Sequence, residues 1–531
     1  MEKLELTGSQ IESIVMKPLS DRIEHIVVLM LENRSFANVF GGLYPNLTKT
    51  GKFRGLTGEE TNPLDPANPS AGSVPVFQAP LGYEASIMPY PDPGELYTDM
   101  VEQLFGFDAA LPTGVPKMNG FAWNYGKQKA AREEEGGRPV KPHPKHIMQY
   151  YSAATMPVSW FLAQQFAVCD TWFASGPVQT IANRIFAHCG TPGVIPGTDL
   201  SRVDNPDFVK GFDFEPTVTD LTIFEALDQA HPQTRARGPG LQDAPGTALN
   251  WKVYYHDAPV SVFCQYVYNN WHWAVGGNVF HYTDPLWGTN NFEEDIVNNV
   301  LPKYSFIEPR YTDALGGSPN TNHPGGAGID FTDPNGSSLP PPIDVRAGEQ
   351  LLCEIYSILC SHPDVFAKTL LVVTYDEHGG LYDNVSPPCA ASPFVQPVSN
   401  FPYNRFGVRV PTILINPYIA PGTVYPPRAA FEPVSGTPFD HTSLIQTALQ
   451  QFGVSGDFGP RVDAAPPISK TGLLTETYNP PPACAAPAYA AVESLRPRAA
   501  VEFYHPKAPG LAGALGGLYI EEQKRRATRA P

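Results

Sequence analysis

Apolar residues run almost without interruption in two places. Glu24 to Leu31 reads EHIVVLML, and Lys368 to Tyr375 reads KTLLVVTY. Runs of this length predict strands buried on both faces of a parallel sheet. Val408 to Pro417 predicts a third strand. Helical spacing appears over Met148–Asp170, with Tyr151, Trp160, Phe161, Ala163 and Phe166 on one side. It appears again over Ile181–His188, Arg346–Ser361 and His441–Phe452. Leu351, Leu352, Ile355, Tyr356 and Leu359 form the apolar side of the third of these, and Pro363 ends it. Helices alternating with continuous apolar strands predict an α/β fold with a mostly parallel central sheet flanked by helices.

The stretches between these elements lack a period. Residues 51–116 and about 196–345 are rich in Pro, Gly and Asn and are expected to be loop-rich insertions. The second carries Trp251, Tyr254, Tyr255, Tyr266, Tyr268, Trp271 and Trp273, a composition that more often simply packs a cap and that also suits a wall gripping an apolar or quaternary-ammonium group. The expected organisation is an extension over 1–22, one catalytic domain over 23–456 with both insertions, and an extension over 457–531. The basic end, Lys524 to Arg529, is expected to be solvated.

Charge and cysteine content narrow the function. The formal net charge is −17, which argues against a nucleic-acid partner and against diffuse attachment to an anionic membrane. No segment is long and apolar enough to predict a transmembrane span, and the start shows no leader pattern. The expected location is therefore cytoplasmic, or outside the cell by a leader-independent route. Seven cysteines without CxxC-like spacing signal neither a disulfide framework nor a zinc knuckle.

The chemistry concentrates where the apolar strands end. Glu32-Asn33 follows the first and Asp376-Glu377 the second. Three carboxylates and an amide oxygen make a hard oxygen set for a divalent cation. Open α/β sheets place sites at the carboxyl ends of their strands. Adjacent strand residues face opposite ways, so Asp376 and Glu377 act together only if the chain turns there, and Gly379-Gly380 permits it. Thr180 follows a Gly176-Pro177 turn at the start of a helix, where the dipole favours anions. Beside a cation its hydroxyl is a nucleophile toward phosphorus. Taken singly, these features also read as helix caps and turns.

In combination, the sequence resembles the phosphoesterase family of bacterial phospholipases C and acid phosphatases, within the alkaline phosphatase superfamily. The segments that carry the resemblance are 23–36 (IEHIVVLMLENRSF), 148–191, 368–388 (KTLLVVTYDEHGGLYDNVSPP) and 439–444 (FDHTSL). It implies an alkaline phosphatase-like core and one or more divalent ions (Zn, Mn, Ca or Mg). Metal ligands would be Glu32, Asn33, Asp376, Glu377 and Thr180. Thr180 would be the nucleophile, passing through a phosphothreonine, with His441 or His323 contacting the phosphoryl group or protonating the leaving oxygen. Glu95, Asn183, Arg184, His378 and His281 are expected at the substrate, His272 being a further candidate and His25 structural. The implied substrate is a phospholipid such as phosphatidylcholine; the alternatives are a non-specific acid phosphatase acting on monoesters and a non-catalytic phospho-ligand binding protein. The chain differs from the family pattern at Phe36-Ala37, at Ala182, at Asp383-Asn384, and at Glu95, where the family has histidine.

Overall fold

The computed structural model describes residues 19–110, 114–128, 143–205, 218–232, 248–257, 259–271, 277–283, 288–311, 319–325, 342–428, 434 and 436–485, without the side chains of 83, 84, 109 and 110. Expectations for the first eighteen residues, His272, Trp273 and the basic C-terminal end lie outside these residues.

An eight-stranded sheet organises the molecule. In chain order its strands are β1 (His25–Leu31), β2 (Ala167–Cys169), β3 (Trp251–Tyr255), β4 (Val279–His281), β5 (Tyr304–Glu308), β6 (Thr369–Tyr375), β7 (Ile413–Ile415) and β8 (Thr423–Tyr425). They lie side by side in the order β8-β2-β7-β6-β1-β5-β3-β4. All pairings are parallel except those of β7, which runs antiparallel to β6 and β2. The two long apolar runs became the central pair. Every residue of β6 is buried, as is all of β1 beyond His25. His25 itself bonds the Pro302 carbonyl through Nδ1, a structural role.

Two expectations are corrected. The stretch 196–345 is not merely a loop-rich cap, because β3, β4 and β5 lie within it and complete the sheet. Trp251 and Tyr254 are fully buried there, with Trp251 Nε1 bonded to Asp228 and Tyr254 Oη to Asp295. Trp271 is also buried and packs against Tyr255. These aromatic residues fill core volume between short strands rather than forming an open choline-gripping wall. Residues 148–170 also break into the two-residue strand Gln149–Tyr150, the helix Pro157–Gln165 and β2. The apolar spacing there served three elements in succession.

The helices that position the site are α1 (Phe36–Phe40), α2 (Tyr97–Phe105), α3 (Pro157–Gln165), α4 (Thr180–Cys189), α5 (Val345–Ser361) and α6 (Thr442–Phe452). Helix α1 begins at Ser35, whose hydroxyl accepts from the Asn38 amide and caps the first turn. Helix α4 is buried along its whole length and closes on Gly190 in the left-handed conformation. Residues 457–485 wrap the core, burying Arg461, Ile468 and Leu473. Cys484 at the end of this wrap lies 2.6 Å, sulfur to sulfur, from Cys353 of α5, a proximity that spacing did not signal.

Candidate active site

The register of β1 and β6 creates the site. Leu31 is paired with Tyr375, so Glu32 and Asp376 leave the sheet side by side at its carboxyl edge. The Asp376 amide donates to the Leu31 carbonyl at 3.2 Å, holding the two exits together. Asn33 then takes φ 58°, a left-handed conformation that asparagine tolerates better than most residues. That twist ends the strand alternation. The Asn33 amide donates to Asp376 Oδ1 at 3.1 Å, and its side chain reaches both Thr180 and Glu95.

Gly379 and Gly380 turn the second exit, with φ of 60° and 66°. A Cβ on Gly379 would stand 2.2 Å from the Asn33 carbonyl oxygen, so only glycine fits the crossing of these chains. The expectation that these glycines let Asp376 and Glu377 act together matches the geometry. Asp376 Oδ1 also accepts from the Glu377 amide at 2.7 Å, and Glu377 Oε2 accepts from the Gly379 amide at 2.6 Å. Glu377 Oε1 is buried without a hydrogen-bond partner.

Thr180 stands at the first turn of α4, and its hydroxyl donates to Asn33 Oδ1 at 3.4 Å. The loop before it is held from two sides. Ser175 Oγ donates to Asp440 Oδ2 at 2.9 Å, and the buried Arg461 donates to the Ser175 carbonyl. Thus the FDHTSL segment and the C-terminal wrap both fix the threonine.

Five expected contributors are bonded to other parts of the chain. Arg184 is buried behind the site: Nε donates to Asp376 Oδ2 at 2.9 Å and Nη2 to the Met30 and Leu31 carbonyls at 3.2 Å. Asn183 turns back into its own loop, bonding Gly176 and Val178. His441 is fully buried at the start of α6. Its Nε2 donates to the Asp376 carbonyl at 2.6 Å and its Nδ1 accepts from Trp172 at 3.4 Å. Both nitrogens are occupied and burial lowers its pKa to about 4, so it holds the Asp376 backbone in place as a neutral ring. His378 donates to Gln103 Oε1 at 2.8 Å and is likewise pushed down to about 3 by burial. His281 is on β4, the sheet edge, where Nε2 meets Tyr255 Oη at 3.0 Å. Three strand spacings separate β4 from β1, roughly 14 Å, so His281 is not beside Glu32 and Asp376.

The mouth of the site is built by residues that adjacency in sequence did not reveal. Gln103 of α2 passes the His378 bond onward, donating from Nε2 to the Gly94 carbonyl at 2.7 Å. This sets Glu95, whose Oε1 accepts from Asn33 Nδ2 at 2.9 Å. Arg34 is fully buried; it donates to the Asn322 carbonyl at 2.7 Å and to the Met88 carbonyl at 2.9 Å. It therefore ties the loop carrying Asp92 to the loop carrying His323. In sequence Arg34 was one polar residue in the exit Glu32-Asn33-Arg34-Ser35, and its partners lie 54 and 288 positions away.

The electrostatics are those of a carboxylate-rich, water-poor site. Burial pushes Glu32 up to about 7, against the pull of His323 and Arg184. Burial and the nearby Glu95 and Asp376 drive Glu377 far above the ordinary carboxylate range. Burial also raises Asp376, opposed by Arg184. A divalent cation fits this set: the donors are oxygen atoms, three carboxylates face the one guanidinium of Arg184, and Glu377 Oε1 has no hydrogen-bond partner among the described residues.

The Phosphoesterase family profile matches residues 23–455. Non-specific phospholipase C1 of Arabidopsis thaliana is 30% identical over 471 residues, covering 87% of this chain and 72% of its own length. Phospholipase C A of Mycobacterium tuberculosis is 28% identical over 463 residues, covering 81% and 73%. A crystal structure of a protein in the alkaline phosphatase superfamily from Vibrio parahaemolyticus aligns with a TM-score of 0.29 and 14% identity, over 59% of this chain and 64% of its own.

Proposed function

The chain belongs to the Phosphoesterase family and is a phosphoric ester hydrolase, and from that premise we propose that it is a metal-dependent phospholipase C using Thr180 as nucleophile. The observation that carries this reading is Thr180 at the N-terminus of α4, bonded to Asn33 beside Glu32, Asp376 and Glu377. Glu32, Asn33, Asp376, Glu377 and Thr180 would hold a divalent cation. When bound, that cation supplies Lewis acidity and lowers the pKa of the threonine hydroxyl.

The chain's own residues do the rest. Asn33 orients the Thr180 hydroxyl, and the start of α4 offers partial positive charge to a phosphoryl group. The Thr180 Oγ–phosphorus bond forms as the bond from phosphorus to the glycerol oxygen breaks. The hydroxyl proton leaves to solvent, and the departing alkoxide takes a proton from water. Water then cleaves the phosphothreonine, restoring Thr180 and releasing the phosphorylated headgroup. Arg184 and His441 keep Asp376 in register throughout. The relatives named phospholipase C support a phospholipid diester, such as phosphatidylcholine, as substrate.

The test compares wild type with Thr180→Ala on phosphatidylcholine vesicles and on a phosphomonoester. Acid-quenched wild-type protein should carry phosphocholine on the peptide containing Thr180 after phosphatidylcholine, and phosphate there after the monoester. Turnover that survives Thr180→Ala would remove the nucleophile. Turnover confined to the monoester would make the protein a phosphatase.

A further inference from the structure

Asp92, Glu95 and His323 come from two loops that the sequence separates by more than two hundred residues, yet one ligand atom from each lies within 4.8 Å of the others. His323 Nε2 stands 3.7 Å from Glu95 Oε2, and His323 Nδ1 stands 3.8 Å from Asp92 Oδ1. Both gaps exceed a hydrogen bond. The first suits two ligands of one ion, since two bonds of about 2.0–2.2 Å place their atoms roughly 3–4.3 Å apart.

The orientation of each group supports the same use. His323 Nδ1 lies 2.5 Å from the Pro324 carbonyl, to which it donates. Against the burial that lowers it, Glu95, Asp92 and Glu32 raise the His323 pKa to about 9, so without a cation the ring carries a proton on Nε2; a cation displacing that proton would meet the Nε2 lone pair facing Glu95. A metal-binding histidine characteristically donates its other nitrogen to a carbonyl in this way. Glu95 commits Oε1 to Asn33 and presents Oε2 to His323. The loops are clamped by Arg34, and Gly325 lies so close to Asp92 that a Cβ there would meet its Cα at 2.3 Å.

Charge gives an independent reason. Glu32, Asp92, Glu95, Asp376 and Glu377 face the guanidinium groups of Arg34 and Arg184. With every carboxylate ionised that is a deficit of three charges for a neutral His323, and of two when it carries the proton that Glu95, Asp92 and Glu32 favour. With one divalent cation the site is at best neutral before an anionic phosphodiester arrives; a second makes it attractive. The partnerless Oε1 belongs to Glu377, a fully buried residue on which Glu95 and Asp92 both act.

We propose that Asp92, Glu95 and His323 form a second divalent-cation site beside the one held by Glu32, Asn33, Asp376 and Glu377. This rests on the metal-dependent reading above and extends it to two ions. The imidazole nitrogen favours zinc over calcium or magnesium, and the two carboxylates also suit manganese. His323 is then a ligand, not the acid for the leaving oxygen.

The experiment uses the full chain, stripped with chelator, reloaded separately with zinc and manganese, and freed of excess ion. Bound metal is counted by mass spectrometry and affinity is measured by calorimetry. Wild type should hold two equivalents. Glu95→Gln and His323→Ala should each retain one and bind the other at least tenfold more weakly. Asp92→Asn, at the exposed mouth, should weaken the same equivalent with circular dichroism unchanged. One equivalent in wild type, unaffected by Glu95→Gln, overturns the second site and leaves the metal-dependent reading intact. No bound metal in an active wild type overturns both.

Discussion

The back and the mouth of the site solve opposite problems with the same residue types. At the back, Asp376 is buried but supplied: Arg184 and the amides of Asn33 and Glu377 serve its carboxylate, and His441 serves its carbonyl. At the mouth, Asp92, Glu95 and His323 face one another across gaps too long for hydrogen bonds. The supplied carboxylate holds geometry. Glu95 and His323 each have one partner, Asn33 and the Pro324 carbonyl, and turn their other polar atom toward each other. A third buried acid, Glu349, marks the limit of full supply: it accepts from the Val158 and Ser159 amides and the Ser159 hydroxyl, acting as a remote cap for α3.

The comparison breaks most sharply at the atom between the two regions. Thr180→Ala should lower kcat on a phosphoester by at least about 10³-fold with stability nearly unchanged, read by steady-state kinetics and thermal melting. Next is the back wall. Arg184→Met leaves Asp376 buried without its cation and should cost about 3–5 kcal/mol, read from denaturant midpoints. A loss near zero would mean that Asp376 is not held as described.

Glu349 sharpens the contrast through pH. Burial raises its folded pKa from 4.5 to about 7 despite its three hydrogen bonds. The folded state therefore binds its proton more tightly than the unfolded state. Its contribution is most favourable below about pH 4.5 and declines as pH rises to 7, by about 3 kcal/mol in all. Glu349→Gln should gain stability relative to wild type between pH 5 and pH 8, and parallel curves would contradict this. The smallest effect is expected at Gln103→Met. It strands His378 Nε2 and the Gly94 carbonyl and should cost about 1–3 kcal/mol. It should also weaken metal retention at the mouth more than at the back, as counted on the purified variant.

Much of this was legible in sequence where chemistry follows chain order. The two apolar runs announced the central strands, and the acids directly after them announced the strand-end cluster. Gly379 and Gly380 signalled the turn because glycine adopts the left-handed conformation most readily. Arg184 and His441 were visible as motif residues, but their direction was not. A helix carries side chains on every side, and only packing against β1 and β6 showed that Arg184 points back at Asp376. The aromatic stretch left packing and a ligand wall both open, because Trp and Tyr serve either equally well; burial of Trp251 and Tyr254 favours packing.

By itself, the sequence determined the strand pair, the residues at its carboxyl edge, the placement of Thr180 on a helix start and, through several motifs in order, the family. These are local or collinear properties, written in period and spacing. Only the tertiary structure decided that β3, β4 and β5 complete the sheet, that His281 sits at its far edge, and that Asp92 and Glu95 meet His323. Those contacts join segments hundreds of residues apart, and their distances depend on how the loops fold back. Here that closure is set by one buried guanidinium, Arg34, bonding to two carbonyls.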